Sequence, residues 1–96
     1  MSGKSRAHVL ISGRVQGIAY RFFAEKWANA LDVTGWVRNL HDGRVEVLVE
    51  GDRPNIDRFL ERLRDGPRLA QVDGFEVEWG DSTGEFPSFR ITFSGD

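Results

Sequence analysis

Short strands and two amphipathic helices in the order β-α-β-β-α-β, with a further strand at the C-terminal end, predict an α+β fold. Three observations carry this. Apolar and polar residues alternate around Val45–Val49, Phe75–Trp79 and Phe89–Phe93, the period of half-buried strands. Two other segments repeat apolar residues at helical spacing. An Asp42-Gly43 pair sits between two β-rich runs, a hairpin signal. Two such helices can cover only one face of a four- to five-stranded antiparallel sheet, which is the split-βαβ, ferredoxin-like arrangement. That fold hosts unrelated functions and by itself decides none.

The first strand is the run His8 to Ser12, stopped by Gly13. Tyr20, Phe23, Ala24, Trp27, Ala28 and Leu31 then lie on one face of a helix that ends near Asp32 to Gly35. Trp36 to Asn39 and Val45 to Val49 flank the loop Leu40-His41-Asp42-Gly43. Val45, Val47 and Val49 alternate with Arg44, Glu46 and Glu50, so this strand is expected to have one buried and one wet face. Asp52 or Arg53 caps a second helix with Pro54 in its first turn, and Ile56, Phe59, Leu60 and Leu63 form its core face. Gly66-Pro67 closes it. Phe75, Val77 and Trp79 mark a fourth strand. A polar loop over 80–88 leads to a fifth, marked by Phe89, Ile91 and Phe93.

Ninety-six residues suffice for one core and not for two. Residues 1–7 are expected as a flexible tail and 8–96 as a single domain. With 40% apolar and 11% aromatic residues, the composition excludes intrinsic disorder. The absence of cysteine excludes disulfides, thiolate metal sites and a Cys nucleophile. No apolar run approaches the roughly 20 residues of a membrane helix. The N-terminal residues lack the apolar stretch of a signal peptide, so a cytoplasmic location is expected. A net charge of −2 argues against broad charge-driven binding of nucleic acid or membrane, while leaving room for one local anion site. A monomer is the default expectation.

The link from first strand to first helix is Gly13-Arg14-Val15-Gln16-Gly17-Ile18-Ala19-Tyr20-Arg21. A helix start offers unpaired N–H groups and partial positive charge, normally met by Ser, Thr, Asp or Asn. None of these occurs between Gly13 and Arg21. Arg21 instead places a cation in or near the first turn, where the helix dipole disfavours it. A bound anion reverses both penalties, and Gly13 and Gly17 suit a loop that curls its N–H groups inward. The alternative is a plain turn with Arg21 reaching a carboxylate. The loop is neither a Walker A nor a G-x-G-x-x-G motif.

Residues 11–21, Ile-Ser-Gly-Arg-Val-Gln-Gly-Ile-Ala-Tyr-Arg, closely resemble the signature of the acylphosphatase family, a Gly-x-Val-Gln-Gly loop ending in Phe/Tyr-Arg. A second stretch matches too: Gly35-Trp36-Val37-Arg38-Asn39, then Gly43, Val45 and Gly51. The resemblance covers roughly residues 8–93. Ile18 stands where the family usually has Val, and Tyr20 where Phe is common.

This resemblance implies hydrolysis of carboxyl-phosphate anhydrides (acyl phosphates) to a carboxylate and inorganic phosphate. It implies that the backbone N–H groups of Arg14, Val15, Gln16, Gly17, Ile18, Ala19 and Tyr20 cradle the phosphoryl oxygens. Arg21 would bind the same oxygens and Asn39 would hold the attacking water. Inorganic phosphate, as product, would inhibit competitively. No cofactor and no metal is expected: His8 and His41 have no third ligand at a suitable spacing, and a loose transition state can be served by positioning and charge stabilisation. The amide of Asn39 suits water holding because it donates, accepts and does not titrate. Read from the residues alone, Asn39 is better taken as a strand-end residue shaping the hairpin.

His41 beside Asp42-Gly43 is expected to be exposed and idle, and His8 structural. Trp27, Trp36, Trp79 and the phenylalanines are expected mostly in packing. Asp73, Glu76, Glu78 and Asp81 form an acidic strip expected to be a solvated face. The alternative function is a non-catalytic ferredoxin-like module binding an anion or other ligand. RNA recognition would want aromatics on a central strand, where this chain has Val45, Val47 and Val49.

Overall fold

A computed structural model describes residues 3–93. Its elements are β1 (Lys4–Arg14), α1 (Tyr20–Ala30), β2 (Thr34–Asn39), β3 (Val45–Asp52), α2 (Arg53–Asp65), β4 (Gln71–Asp81) and β5 (Phe89–Ile91). The five strands form one sheet in the order β4-β1-β3-β2-β5. The alternation in the sequence determines which residues meet. Val9 lies between Val47 and Val77 in register, and Val37 opposite Val47, so one face of the sheet is apolar across its centre. Against that face pack Tyr20, Ala24 and Ala28 of α1 and Ile56, Phe59, Leu60 and Leu63 of α2. Phe59 meets Phe89 edge to face at 5.5 Å, joining α2 to the far side of the sheet.

The all-antiparallel sheet expected from the sequence needs one correction. β5 runs parallel to β2, with Gly35 opposite Phe89 and Val37 opposite Ile91. The reason is the last crossover. β4 is antiparallel to β1 on one edge, and the chain then crosses to the other edge and reverses, which gives β5 the direction of β2.

That crossover also overturns the wet face expected of β3. Glu50 is only 2% exposed, because residues 82–84 fold over it. Its carboxylate accepts from Ser82 Oγ (2.9 Å), the Thr83 amide (3.0 Å), the Gly84 amide (2.9 Å) and Arg6 Nε (2.7 Å). Burial alone would raise its pKa, but these donors outweigh it and bring the carboxyl down from 4.5 to about 2.

Three further expectations change. β1 begins at Lys4 rather than His8, because β3 and β4 continue on either side and pair residues that read as tail; residues 1–2 and 94–96 lie outside the described residues. β5 ends at Ile91, which leaves Phe93 93% exposed. Trp27 packs against the core and also carries the guanidinium of Arg62 (4.5 Å), while Trp36 and Trp79 carry those of Arg38 (4.8 Å) and Arg53 (3.6 Å) on their rings.

Candidate active site

β1 leaves the sheet through a register shift between Ser12 and Gly13. Gly13 has φ 122°, and a Cβ there would stand 2.1 Å from the backbone oxygen of Gln71. Only glycine lets the strand turn this close to β4. Arg14 is exposed and ends β1 opposite Gln71, and Val15 then returns to the core with no exposed surface, pinning the loop. Gly17 (φ 77°) and Ala19 (φ 63°) are both left-handed, with Ile18 between them packed against the core. For Ala19 that conformation costs about 1 kcal/mol.

Among the described residues, no acceptor is found for the backbone N–H groups from Val15 through Phe22; the first helical bond is from Phe23 N–H to the Ala19 oxygen at 3.0 Å. Ala19 is the N-cap of α1, has no capping side chain, and no acid follows in the first turn. Arg21 is half-buried in that turn, and among the described residues its guanidinium has no hydrogen-bond or ion-pair partner. Unpaired amides, the positive end of a helix and an unpartnered guanidinium therefore occupy one short segment. Chemically this is a receptor for a multivalent oxyanion. Tyr20 contributes only its backbone to such a receptor. Its ring is buried, its hydroxyl donates to the Leu63 oxygen near the end of α2, and burial holds the phenol well above its ordinary pKa.

Asn39 ends β2 opposite Val45. Its Oδ1 is buried and has no donor among the described residues. Leaving a buried amide oxygen unpaired costs about 1–3 kcal/mol, which a bound water would offset. The loop is fastened beside this residue by Gln16, whose Nε2 donates to the oxygens of Leu40 and Arg44, each at 2.8 Å. Leu40 N–H also bonds to the Arg44 oxygen (2.8 Å), so Gln16 grips the closing rung of the turn that follows Asn39.

The histidines stand apart from this arrangement. His8 Nε2 is 2.6 Å from Glu46 Oε2, and Arg38 Nε donates to the other oxygen of Glu46 at 2.6 Å, a three-residue link across β1, β3 and β2. His41 lies exposed in the turn. The described residues contain no group of three or more potential metal-binding side chains. A concavity of about 630 Å³ between α2 and β4, lined by residues such as Leu60, Arg64, Val77 and Trp79, includes no residue of the loop.

The family profile described as acylphosphatase matches residues 7–91. The chain belongs to the acylphosphatase family. An acylphosphatase from Methylococcus capsulatus is 51% identical over 86 residues, covering 90% of this chain and 94% of that one. One from Pelotomaculum thermopropionicum is 47% identical over 90 residues, covering 94% and 98%. The crystal structure of acylphosphatase from Bacillus subtilis matches with a TM-score of 0.89 at 32% identity, over 92% of this chain and 98% of that one. Acylphosphatase activity, with an acyl phosphate as substrate and phosphate as product, follows from this membership. No helix among the described residues is long and apolar enough to cross a membrane.

Two features of this acylphosphatase-family chain escape the sequence. Gln16 reads there only as one more amide in the loop, because its side-chain partners lie 24 and 28 residues away. The orphaned Oδ1 of Asn39 is a property of packing and leaves no trace in residue order.

Proposed function

We propose that the loop amides of residues 14–20 and the guanidinium of Arg21 hold the phosphoryl group of an acyl phosphate, and that Asn39 holds the water that attacks phosphorus. The observation that carries this reading is a run of amides that, among the described residues, have no acceptors, beside an Arg21 with no partner among them, at an uncapped helix start. Arg14 closes a strand against Gln71, so the amides from Val15 onward carry most of the cradle.

In this mechanism Oδ1 of Asn39 accepts a hydrogen bond from the water, turning the water's lone pair toward phosphorus. A P–O bond forms to the water as the P–O bond to the acyl oxygen breaks. The carboxylate leaves with the electron pair, and a phosphoryl oxygen takes the water's proton. The products are carboxylate and inorganic phosphate. Charge on the phosphoryl oxygens is met by amides already in place, so little reorganisation is needed at the moment of reaction. The reading includes a cytoplasmic monomer that engages neither nucleic acid nor membrane and needs no metal; the net charge of −2 supports the absence of broad charge-driven binding, and a cradle of amides and one guanidinium supports anion binding without a metal.

The test compares hydrolysis of several acyl phosphates with that of a phosphate monoester, with and without EDTA. Turnover of acyl phosphates that is indifferent to EDTA is expected. Activity on the monoester alone, or loss with the chelator, overturns the mechanism.

A further inference from the structure

We infer that the side chain of Gln16 is a positioning residue that sets the distance between the phosphoryl cradle and the water held by Asn39; the inference rests on the water-holding reading of Asn39. The two halves of the site belong to different parts of the fold. The cradle is loop and helix start, whereas Asn39 belongs to the sheet. Gln16 spans them. Its backbone lies within the cradle, between the buried anchor Val15 and the left-handed Gly17. Its side chain ends on the oxygens of Leu40, the residue after Asn39, and Arg44, both at 2.8 Å.

The chemistry of the link is specific. Both acceptors are carbonyl oxygens, so the bridging group must donate twice from one nitrogen, which a neutral amide does. A carboxylate at this position would face two oxygens without a proton to share. An apolar side chain would leave both carbonyls without this donor. The Arg44 oxygen would still hold Leu40 N–H, so the turn itself keeps its closing bond. What is lost is the fixed spacing.

In-line attack tolerates little misplacement: a shift of about 1 Å can cost on the order of 10² in rate. Phosphate alone does not sense the spacing, since it touches only the cradle. Losing Gln16 should therefore lower kcat and leave phosphate affinity in place. A merely structural role would lower stability without producing that split.

The experiment is a double-mutant cycle with Gln16→Leu and Asn39→Ala, reading kcat for acetyl phosphate and Ki for inorganic phosphate. Gln16→Met is made in parallel, so that a folding defect peculiar to the branched side chain decides nothing, and each protein is shown folded by its thermal transition. Expected is a kcat loss of about 10-fold or more for either Gln16 variant in the otherwise natural chain, with Ki changed by less than about twofold. In the Asn39→Ala background the same substitution should change kcat by less than about twofold, because no positioned water remains to be misplaced. An equal proportional loss in both backgrounds overturns the inference and leaves the Asn39 reading intact. So does a weakened Ki with kcat unchanged, which would make Gln16 a shaper of the cradle. If Asn39→Ala alone keeps its kcat, the water-holding reading fails and the inference falls with it.

Discussion

Arg6 and Glu50 stand opposite each other in the β1–β3 pair, with Arg6 Nε 2.7 Å from Glu50 Oε2, beneath the loop that carries the chain from one edge of the sheet to the other. The crossover is thus held by a buried carboxylate rather than by an apolar plug. Glu50 accepts from two backbone amides of that loop as well as from Arg6 and Ser82.

This arrangement makes stability depend on acid. The carboxyl is held at about 2 in the fold against 4.5 as its ordinary value. A depressed pKa contributes stability that is full above the unfolded value and is lost as pH falls from there toward the folded one. The window therefore runs from about 4.5 down to about 2, and the loss is on the order of 3 kcal/mol. Denaturant unfolding of the natural chain and of Glu50→Gln between about pH 5 and pH 3 should converge as the pH falls. Two curves that stay parallel would show that Glu50 does not carry the dependence.

Tyr20 predicts a second effect on stability, this time independent of pH in the neutral range. Its buried hydroxyl satisfies the Leu63 oxygen near the C-terminus of α2, where helix carbonyls lack intrahelical partners. Tyr20→Phe keeps the ring and orphans the oxygen, at a cost of about 1–3 kcal/mol. Thermal unfolding measures this directly, and an unchanged Tm would mean that water reaches the Leu63 oxygen.

Most of the fold is legible because it is local. Val45, Val47 and Val49 announce a half-buried strand, and Ile56, Phe59, Leu60 and Leu63 announce a helix face, before any partner is known. The path of the last crossover is not local. A polar loop over 80–88 reads the same whether it returns beside β4 or passes over β3, so neither the parallel β5 nor the burial of Glu50 can be seen in it. Lys4 to Ala7 read as tail because their strand character comes from β3 and β4 beside them. The site divides in the same way. The missing cap and the ill-placed Arg21 are properties of consecutive residues, whereas the grip of Gln16 on Leu40 and Arg44 exists only once β1 and the β2–β3 turn have met.

Arg21 should couple phosphate to folding. Inorganic phosphate that binds only the folded state raises Tm by mass action, by the equivalent of about 2.7 kcal/mol at 100 times its Kd. With Arg21→Gln the rise in Tm should shrink to near nothing, and Arg21→Lys should restore little of it, since a point charge does not reproduce a two-pronged guanidinium. A thermal scan with equal stabilisation in the Gln variant would place the anion elsewhere.

Arg21 and Asn39 should separate in kinetics, because their proposed roles act at different stages. In the proposed mechanism Arg21 contacts phosphoryl oxygens in ground and transition states alike, so Arg21→Gln should weaken phosphate binding and cut turnover together. Asn39, in the same proposal, holds only the water, whose position matters chiefly in the transition state. Asn39→Ala should lower kcat by a factor on the order of 10² or more, with Ki for phosphate nearly unchanged. The substitution also removes a buried Oδ1 that has no donor among the described residues, so stability should hold. A variant that is as stable as the natural chain and yet slow would tie Oδ1 to the reaction rather than to the hairpin. A folded Asn39→Ala that keeps its kcat and loses phosphate affinity would instead make Asn39 a further wall of the cradle, with the water held by other groups.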